Sequence, residues 1–254
     1  MVAIPVTKII LSLTMLAYTS YLDVRYREVN PKIWLIFGFL GGTLTAAEIL
    51  TNNYLLTIVT INIVLGLVIG IISYILGLFG GADFLCLFIL SIIHPYPPVR
   101  PLYYVGPIYP FIVTIVMNSL LLSLAVPIIN FIRNMRNMKY LRNLKAPLKY
   151  KLLYLLIGYP VTIKKYLKMK YTYPLIIYKY HEGKMDIKFR LTFNIEEEHQ
   201  EHQEYFKTLI DKGVLKEDDV IWVTQGIPLL VFIMLGYIMS ISLGDIIVYM
   251  LFTS

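Results

Sequence analysis

Asp83 is the single charged residue between positions 55 and 93 of a 254-residue chain, and it follows two adjacent glycines in Leu78-Phe79-Gly80-Gly81-Ala82-Asp83. A carboxylate set in so apolar a run costs about 2.5–3.5 kcal/mol at membrane depth even on lenient insertion scales, which makes it a candidate functional group. Its chemistry depends on its company. Two carboxylates brought together in a low-dielectric site cannot both ionise easily, so one proton is shared and the pair titrates as a unit. One member, ionised, takes a proton from water while the other, protonated, polarises a carbonyl, which is aspartyl proteolysis. Asp23, in Leu22-Asp23-Val24-Arg25, is the partner the sequence offers. Gly80 and Gly81 suit such a site because glycine permits positive φ and close backbone approach. A strand-like substrate could then lie beside the carboxylate, with a helix starting abruptly at Ala82 or Asp83.

What must hold these residues is a membrane scaffold. With 57% apolar and 15% charged residues and a mean hydropathy of +0.68, the chain is too apolar for a soluble domain of its size. Six apolar stretches, Ile4–Leu22, Ile33–Leu50, Leu55–Leu76, Ala82–His94, Tyr104–Phe131 and Ile221–Phe252, predict about six transmembrane helices. The fourth gives only about 20 Å of helix against a hydrocarbon core of about 30 Å, so it ends part-way. Prolines 95, 97, 98 and 101, then 107 and 110, cannot continue a regular helix. Tyr96, Tyr103, Tyr104 and Tyr109 suit an interfacial belt. Lys8 precedes the uncharged run Ile9–Leu22, but no small-x-small cleavage pattern closes it, so the first span reads as an uncleaved anchor with Lys8 snorkelling to the outer interface.

Lysine and arginine bias sets the expected orientation. The 22–32 connection holds Arg25, Arg27 and Lys32, the 51–54 connection none, the 95–103 connection Arg100, and the segment after position 132 eighteen basic residues. The N-terminus is then outside, residues 133–220 are cytoplasmic, and Asp23 and Asp83 lie on the same cytoplasmic face of the membrane. The expected division is 1–132 for the first five spans, 133–220 for a small α+β cytoplasmic domain, and 221–254 for span six.

The 133–220 segment carries 18 of 23 Lys/Arg and 11 of 16 Asp/Glu, so the net +7 belongs to it alone. Residues 133–170 have eleven basic and no acidic residues, interleaved with aromatics and leucines. Such a run is attracted to anionic lipid by about 1 kcal/mol per basic residue near the surface; no nucleic-acid module accompanies it. Residues 171–195 alternate around His181-Glu182-Gly183-Lys184 as a β-hairpin does. Glu196–Lys212 reads as an amphipathic helix stopped by Gly213.

At these residues the chain resembles a family. Gly80-Gly81-Ala82-Asp83 fits the looser form of the Gly-x-Gly-Asp motif of intramembrane aspartyl proteases, with Ala82 in the third position. Tyr21-Leu22-Asp23-Val24-Arg25-Tyr26-Arg27-Glu28-Val29-Asn30 resembles the first-aspartate segment of archaeal preflagellin peptidases and type IV prepilin peptidases, departing in Val29-Asn30-Pro31, where the family has proline before Asn/Asp. The cytoplasmic Cys-x-x-Cys pairs and methyltransferase region of the bacterial enzymes are missing, which points to the archaeal branch and away from N-methylation. The resemblance implies that Asp23 and Asp83 are the catalytic pair, supported by Gly80, Gly81 and Ala82. It also implies that the substrate is a preflagellin or prepilin-like precursor cut at the cytoplasmic face, with no cofactor or metal.

Plainer readings stand beside these. Asp23 alone is a solvated charge at a helix end, and Asp83 alone an N-cap. Glu48 and Asp245 read as charges reaching headgroups at outer span ends, with a pairing of Asp245 and Lys8 as the alternative. Arg25 and Arg27 are topology determinants, and either could act on Asp23. His199 and His202 share a helix face as ordinary polar residues, without the further ligands a metal needs. Cys86, the single cysteine, packs. Ser20 and Ser91 lack a histidine on a motif, and no phosphate-binding glycine loop is present. The rival to a peptidase is a transporter or ion-binding protein using Asp83 at a broken helix.

Overall fold

The computed structural model describes residues 3–52, 56–75, 77, 80–103, 110–181, 184–194 and 197–253. Leu78, Phe79, Tyr104, Pro107 and Tyr109, and the hairpin turn Glu182-Gly183, lie outside the described residues. In chain order the elements are α1 (Ala3–Tyr26), α2 (Pro31–Asn52), α3 (Leu56–Ile75), α4 (Gly81–Ile93), α5 (Phe111–Ser123), α6 (Ala125–Arg136), α7 (Met138–Asn143) and α8 (Leu148–Ile157). There follow β1 (Tyr159–Thr162), α9 (Ile163–Tyr166), β2 (Thr172–Pro174), β3 (Ile176–His181), β4 (Lys184–Phe189), α10 (His199–Asp211), β5 (Val220–Gln225), α11 (Leu229–Ser242) and α12 (Ile246–Thr253). They form two units, Met1–Ser123 with Pro228–Ser254, and Leu124–Ile227. Among the described residues four helices are long and apolar enough to cross a membrane, Ala3–Tyr26, Pro31–Thr51, Leu56–Ile75 and Phe111–Arg136, and two apolar helices are shorter, Gly81–Ile93 and Leu229–Ser242.

The first unit is built around α4. Cys86, Leu87, Ile89, Leu90 and Ile93 of this helix form one core with Met15 and Leu16 of α1, Phe111, Ile112 and Ile115 of α5, and Leu230, Ile233 and Tyr237 of α11. Helices come close where side chains are small. A Cβ on Gly66 would lie 2.5 Å from Ser91 Cβ, and one on Gly236 only 2.8 Å from Ser119 Cα. The last carbonyls of a helix have no intrahelical donor, and in an apolar bundle other side chains must supply one. Here Thr45 Oγ1 of α2 donates to Ile92 O (2.9 Å) or Ile93 O (3.1 Å). Asn62 Nδ2 of α3 donates to Ser91 O (2.6 Å) and His94 O (3.2 Å), while its Oδ1 accepts the Ile112 N–H at the start of α5 (3.0 Å).

Three charges depart from expectation. Lys8 does not snorkel and Glu48 does not reach outward: they pair with each other inside the unit, with side chains 2% and 9% exposed. Asp245, also buried, accepts the Val248 N–H at the start of α12 (2.8 Å). The stretch expected to form a single last span is three elements. Val220–Gln225 is a strand, α11 begins at Leu229, and Gly244 at φ +92° separates α11 from α12. A Cβ on Gly244 would stand 2.8 Å from Tyr103 O, where the 101–103 loop runs against the end of α11.

In the second unit β5 is the central strand of an antiparallel sheet of order β1-β5-β2. Its side chains alternate between two cores. Ile221 and Val223 join Tyr159, Val161, Tyr166 and Phe206; Trp222 joins Leu141, Tyr154, Leu175 and Ile176. The expected hairpin exists as β3 and β4, paired from Ile176↔Phe189 to His181↔Lys184. The expected amphipathic helix is α10, and Gly213 follows it at φ +68°. His202 Nε2 lies 2.7 Å from Glu197 Oε2, whose carboxylate also receives Arg190 Nη1 on both oxygens at 2.7 Å. His199 instead faces the Tyr171 ring.

Candidate active site

Asp23 lies in the last turn of α1, which Arg27 ends at φ +58° with its N–H bonded to Asp23 O (3.1 Å). The four-residue spacing puts Arg27 on the Asp23 face of the helix. Its Nη1 stands 4.0 Å from Asp23 Oδ1, with both side chains largely covered. Arg25 points elsewhere, donating to Tyr21 Oη and lying over the Tyr21 and Tyr26 rings. Position i+4 is thus the sequence signal that separates the two arginines. Another neighbour has no such signal: the backbone N–H of Leu230, in the first turn of α11, is directed at the Asp23 carboxylate. Asp23 Oδ2 is buried with no hydrogen-bond partner among the described residues.

Asp83 is the third residue of α4. Its Oδ2 accepts the N–H of Gly80, the residue capping the helix, at 2.9 Å. This is half of a capping box, since glycine has no side chain for the reciprocal bond. The Asp83 carboxylate is within electrostatic reach of both Asp23 and Arg27. Cys86, one turn further along, is fully buried and unpaired. The two carboxylates that the sequence singles out thus lie within electrostatic reach of each other, one in the last turn of α1 and the other in the first turn of α4.

The glycines contribute differently from expectation. Gly80 has φ −75° and ψ 167°, ordinary extended backbone, and neither it nor Gly81 has positive φ. A Cβ on Gly80 would meet Asp83 Oδ2 at 3.4 Å, and one on Gly81 would meet nothing within 4 Å among the described residues. Their effect is to leave backbone uncovered beside Asp83, while Ala82 is half-buried against the core. Among the described residues no group of three His, Cys, Asp or Glu is placed to hold a metal ion.

Comparison with known proteins gives two family matches and two relatives. The model of the type IV leader peptidase family matches residues 10–128, the part that carries both aspartates. The model described as archaeal peptidase A24 C-terminus, type II, matches residues 150–246. The chain is 28% identical over 238 residues to a preflagellin peptidase of Methanococcus voltae, covering 91% of this chain and 92% of the relative. It is 26% identical over 242 residues to a preflagellin peptidase of Methanocaldococcus jannaschii, covering 91% of each. The transporter reading finds no support in these matches.

Proposed function

We propose that this chain, whose residues 10–128 match the type IV leader peptidase family, is an aspartyl endopeptidase that removes leader peptides from preflagellin or prepilin-like precursors, with Asp23 and Asp83 as its catalytic pair. The observation that supports the reading is that these two carboxylates, distant in sequence, lie within electrostatic reach of each other, next to Gly81, whose flank is open among the described residues. The ionised member takes a proton from a water, which attacks the scissile carbonyl; the protonated member donates to the carbonyl oxygen as the tetrahedral intermediate forms. Collapse returns that proton and delivers the other to the leaving amine, so both carboxyls end as they began. Arg27 holds Asp23 in place, and the Gly80 N–H holds Asp83.

In this reading the four long apolar helices and the two short ones make six spans, with the N-terminus outside and residues 133–220 cytoplasmic. The basic residues of the 22–32 connection and of 133–220 support that orientation, and it puts cleavage at the cytoplasmic face. Anionic lipid is the proposed partner of residues 133–170. Supporting it, α8 exposes Leu148, Leu152 and Leu156 in a row at four-residue spacing, with Lys149 and Lys151 beside them.

The test is processing of a co-expressed preflagellin. Asp23→Asn and Asp83→Asn each abolish cleavage while the protein still inserts in the membrane. Cleavage retained by either variant refutes the assignment.

A further inference from the structure

Ser12 and Asp23 are eleven residues apart on α1, and Asp83 and His94 are eleven apart across α4 and its C-cap. At 3.6 residues per turn, eleven residues return to within about 20° of the same face and rise about 16 Å. Each helix thus carries its carboxylate and, three turns away, a polar side chain on the same face. The carboxylates lie within electrostatic reach of each other, and the second pair meets directly: Ser12 Oγ lies 2.9 Å from His94 Nε2. The helices run antiparallel with two matched rungs, Asp23 with Asp83 and Ser12 with His94. Tyr237 Oη of α11 lies 2.9 Å from the same Nε2, and Ser12, His94 and Tyr237 are all buried. Thr45 and Asn62 hold the carbonyls on either side of this point, and the Lys8–Glu48 pair, one turn before Ser12, ties α1 to α2. None of these groups reaches the carboxylate end, so the catalytic chemistry leaves them unused.

We propose that His94 is a positioning residue: its contacts with Ser12 and Tyr237 fix the axial register of α4 against α1, and through it the separation of Asp23 and Asp83. A slip of one residue along a helix moves a side chain by about 1.5 Å, and misplacement of a reacting group by about 1 Å can cost on the order of 100-fold in rate. The consequence for turnover rests on the catalytic pair proposed above; the register itself does not.

Two measurements on the full chain in liposomes test it. In Ser12→Ala/Tyr237→Phe, kcat for a purified preflagellin falls by about 10- to 100-fold while KM stays within about twofold; Ser12→Thr/Tyr237→Phe, which restores one hydroxyl, recovers much of the loss. Separately, in a Cys86→Ala background, cysteines introduced as Asp23→Cys and Asp83→Cys are joined by a short bis-maleimide, and the yield drops when Ser12→Ala/Tyr237→Phe is added to protein that elutes as folded. An unchanged cross-linking yield overturns the proposal, as does unchanged kcat in the folded variant. If the Asp→Asn variants still cleave, the catalytic pair is refuted and the cross-linking result alone decides the register.

Discussion

Lys8 and Glu48 form an ion pair across α1 and α2 in the interior of the first unit, 40 residues apart in sequence. Removing one partner of a buried pair leaves the other charge uncompensated, at a cost of about 3–5 kcal/mol, whereas replacing both with apolar residues is often neutral. Glu48→Gln therefore lowers the thermal midpoint in detergent sharply, and Lys8→Met/Glu48→Leu restores most of it. If the double variant is no more stable than the single one, the pair is not the reason for the loss.

Asn62 joins the end of α4 to the start of α5. Asn62→Leu leaves Ser91 O, His94 O and the Ile112 N–H without that partner, and each buried group so abandoned costs about 1–3 kcal/mol. The variant falls further in midpoint than Thr45→Val, which releases the carbonyl bonded by a single hydroxyl. A smaller effect at Asn62 than at Thr45 contradicts this account.

Gly236 and Gly81 make a matched comparison. A Cβ on Gly236 meets the Ser119 backbone, at 2.7 Å from N and 2.8 Å from Cα, so no rotamer change relieves it. Gly236→Ala separates α5 from α11 and costs about 1–3 kcal/mol, and adding Ser119→Ala recovers little. Gly81→Ala meets nothing among the described residues, so its midpoint moves by less than about 0.5 kcal/mol equivalent. Equal effects at the two positions are the result that fails.

Glu197 gives the second unit an acid-sensitive element. Burial alone would raise its carboxyl, but hydrogen bonds from Arg190, the Asn194 amide and His202 outweigh that and bring it from an ordinary 4.5 to about 2. A carboxyl lowered in the folded state adds stability that is fully present above pH 4.5 and is lost as pH falls through 2. Solvent screening of this partly exposed group limits the contribution to about 1–2 kcal/mol. Melts of wild type and Glu197→Gln between pH 7 and 2.5 should converge as the pH falls; a constant gap rules out the carboxylate as its source.

The sequence reveals local patterns well and pairings poorly. Alternation around His181–Lys184 is a property of neighbouring residues, and β3 and β4 form there. Asp23 and Asp83 could be matched because charge bias and span parity set both at the same end of the bundle. Val220-Ile221-Trp222-Val223 defeats hydropathy, because a central strand buried on both faces is as apolar as a membrane helix. Lys8 and Glu48 were legible in one respect: they lie 18 and 17 residues from the facing ends of α1 and α2, hence at nearly equal height in a helical hairpin. Hydropathy treats each charge singly and misses that relation. His94 gave still less warning, since its partners come from three distant helices.

The polar bonds that finish α4 also set an order of assembly. Ser12, Thr45 and Asn62 all precede His94 in the chain, so three of the contacts that hold its C-terminal end exist as soon as α4 is made. The partner of α5 is different. Asn118 bonds to Ser240 Oγ and Gly244 O, and Ser119 stacks against Gly236, yet all of Leu124–Ile227 is synthesised between them. During translation α5 therefore waits, its polar face open, for the whole second unit to be made. That interval is where a chaperone or a premature stop has most to act on.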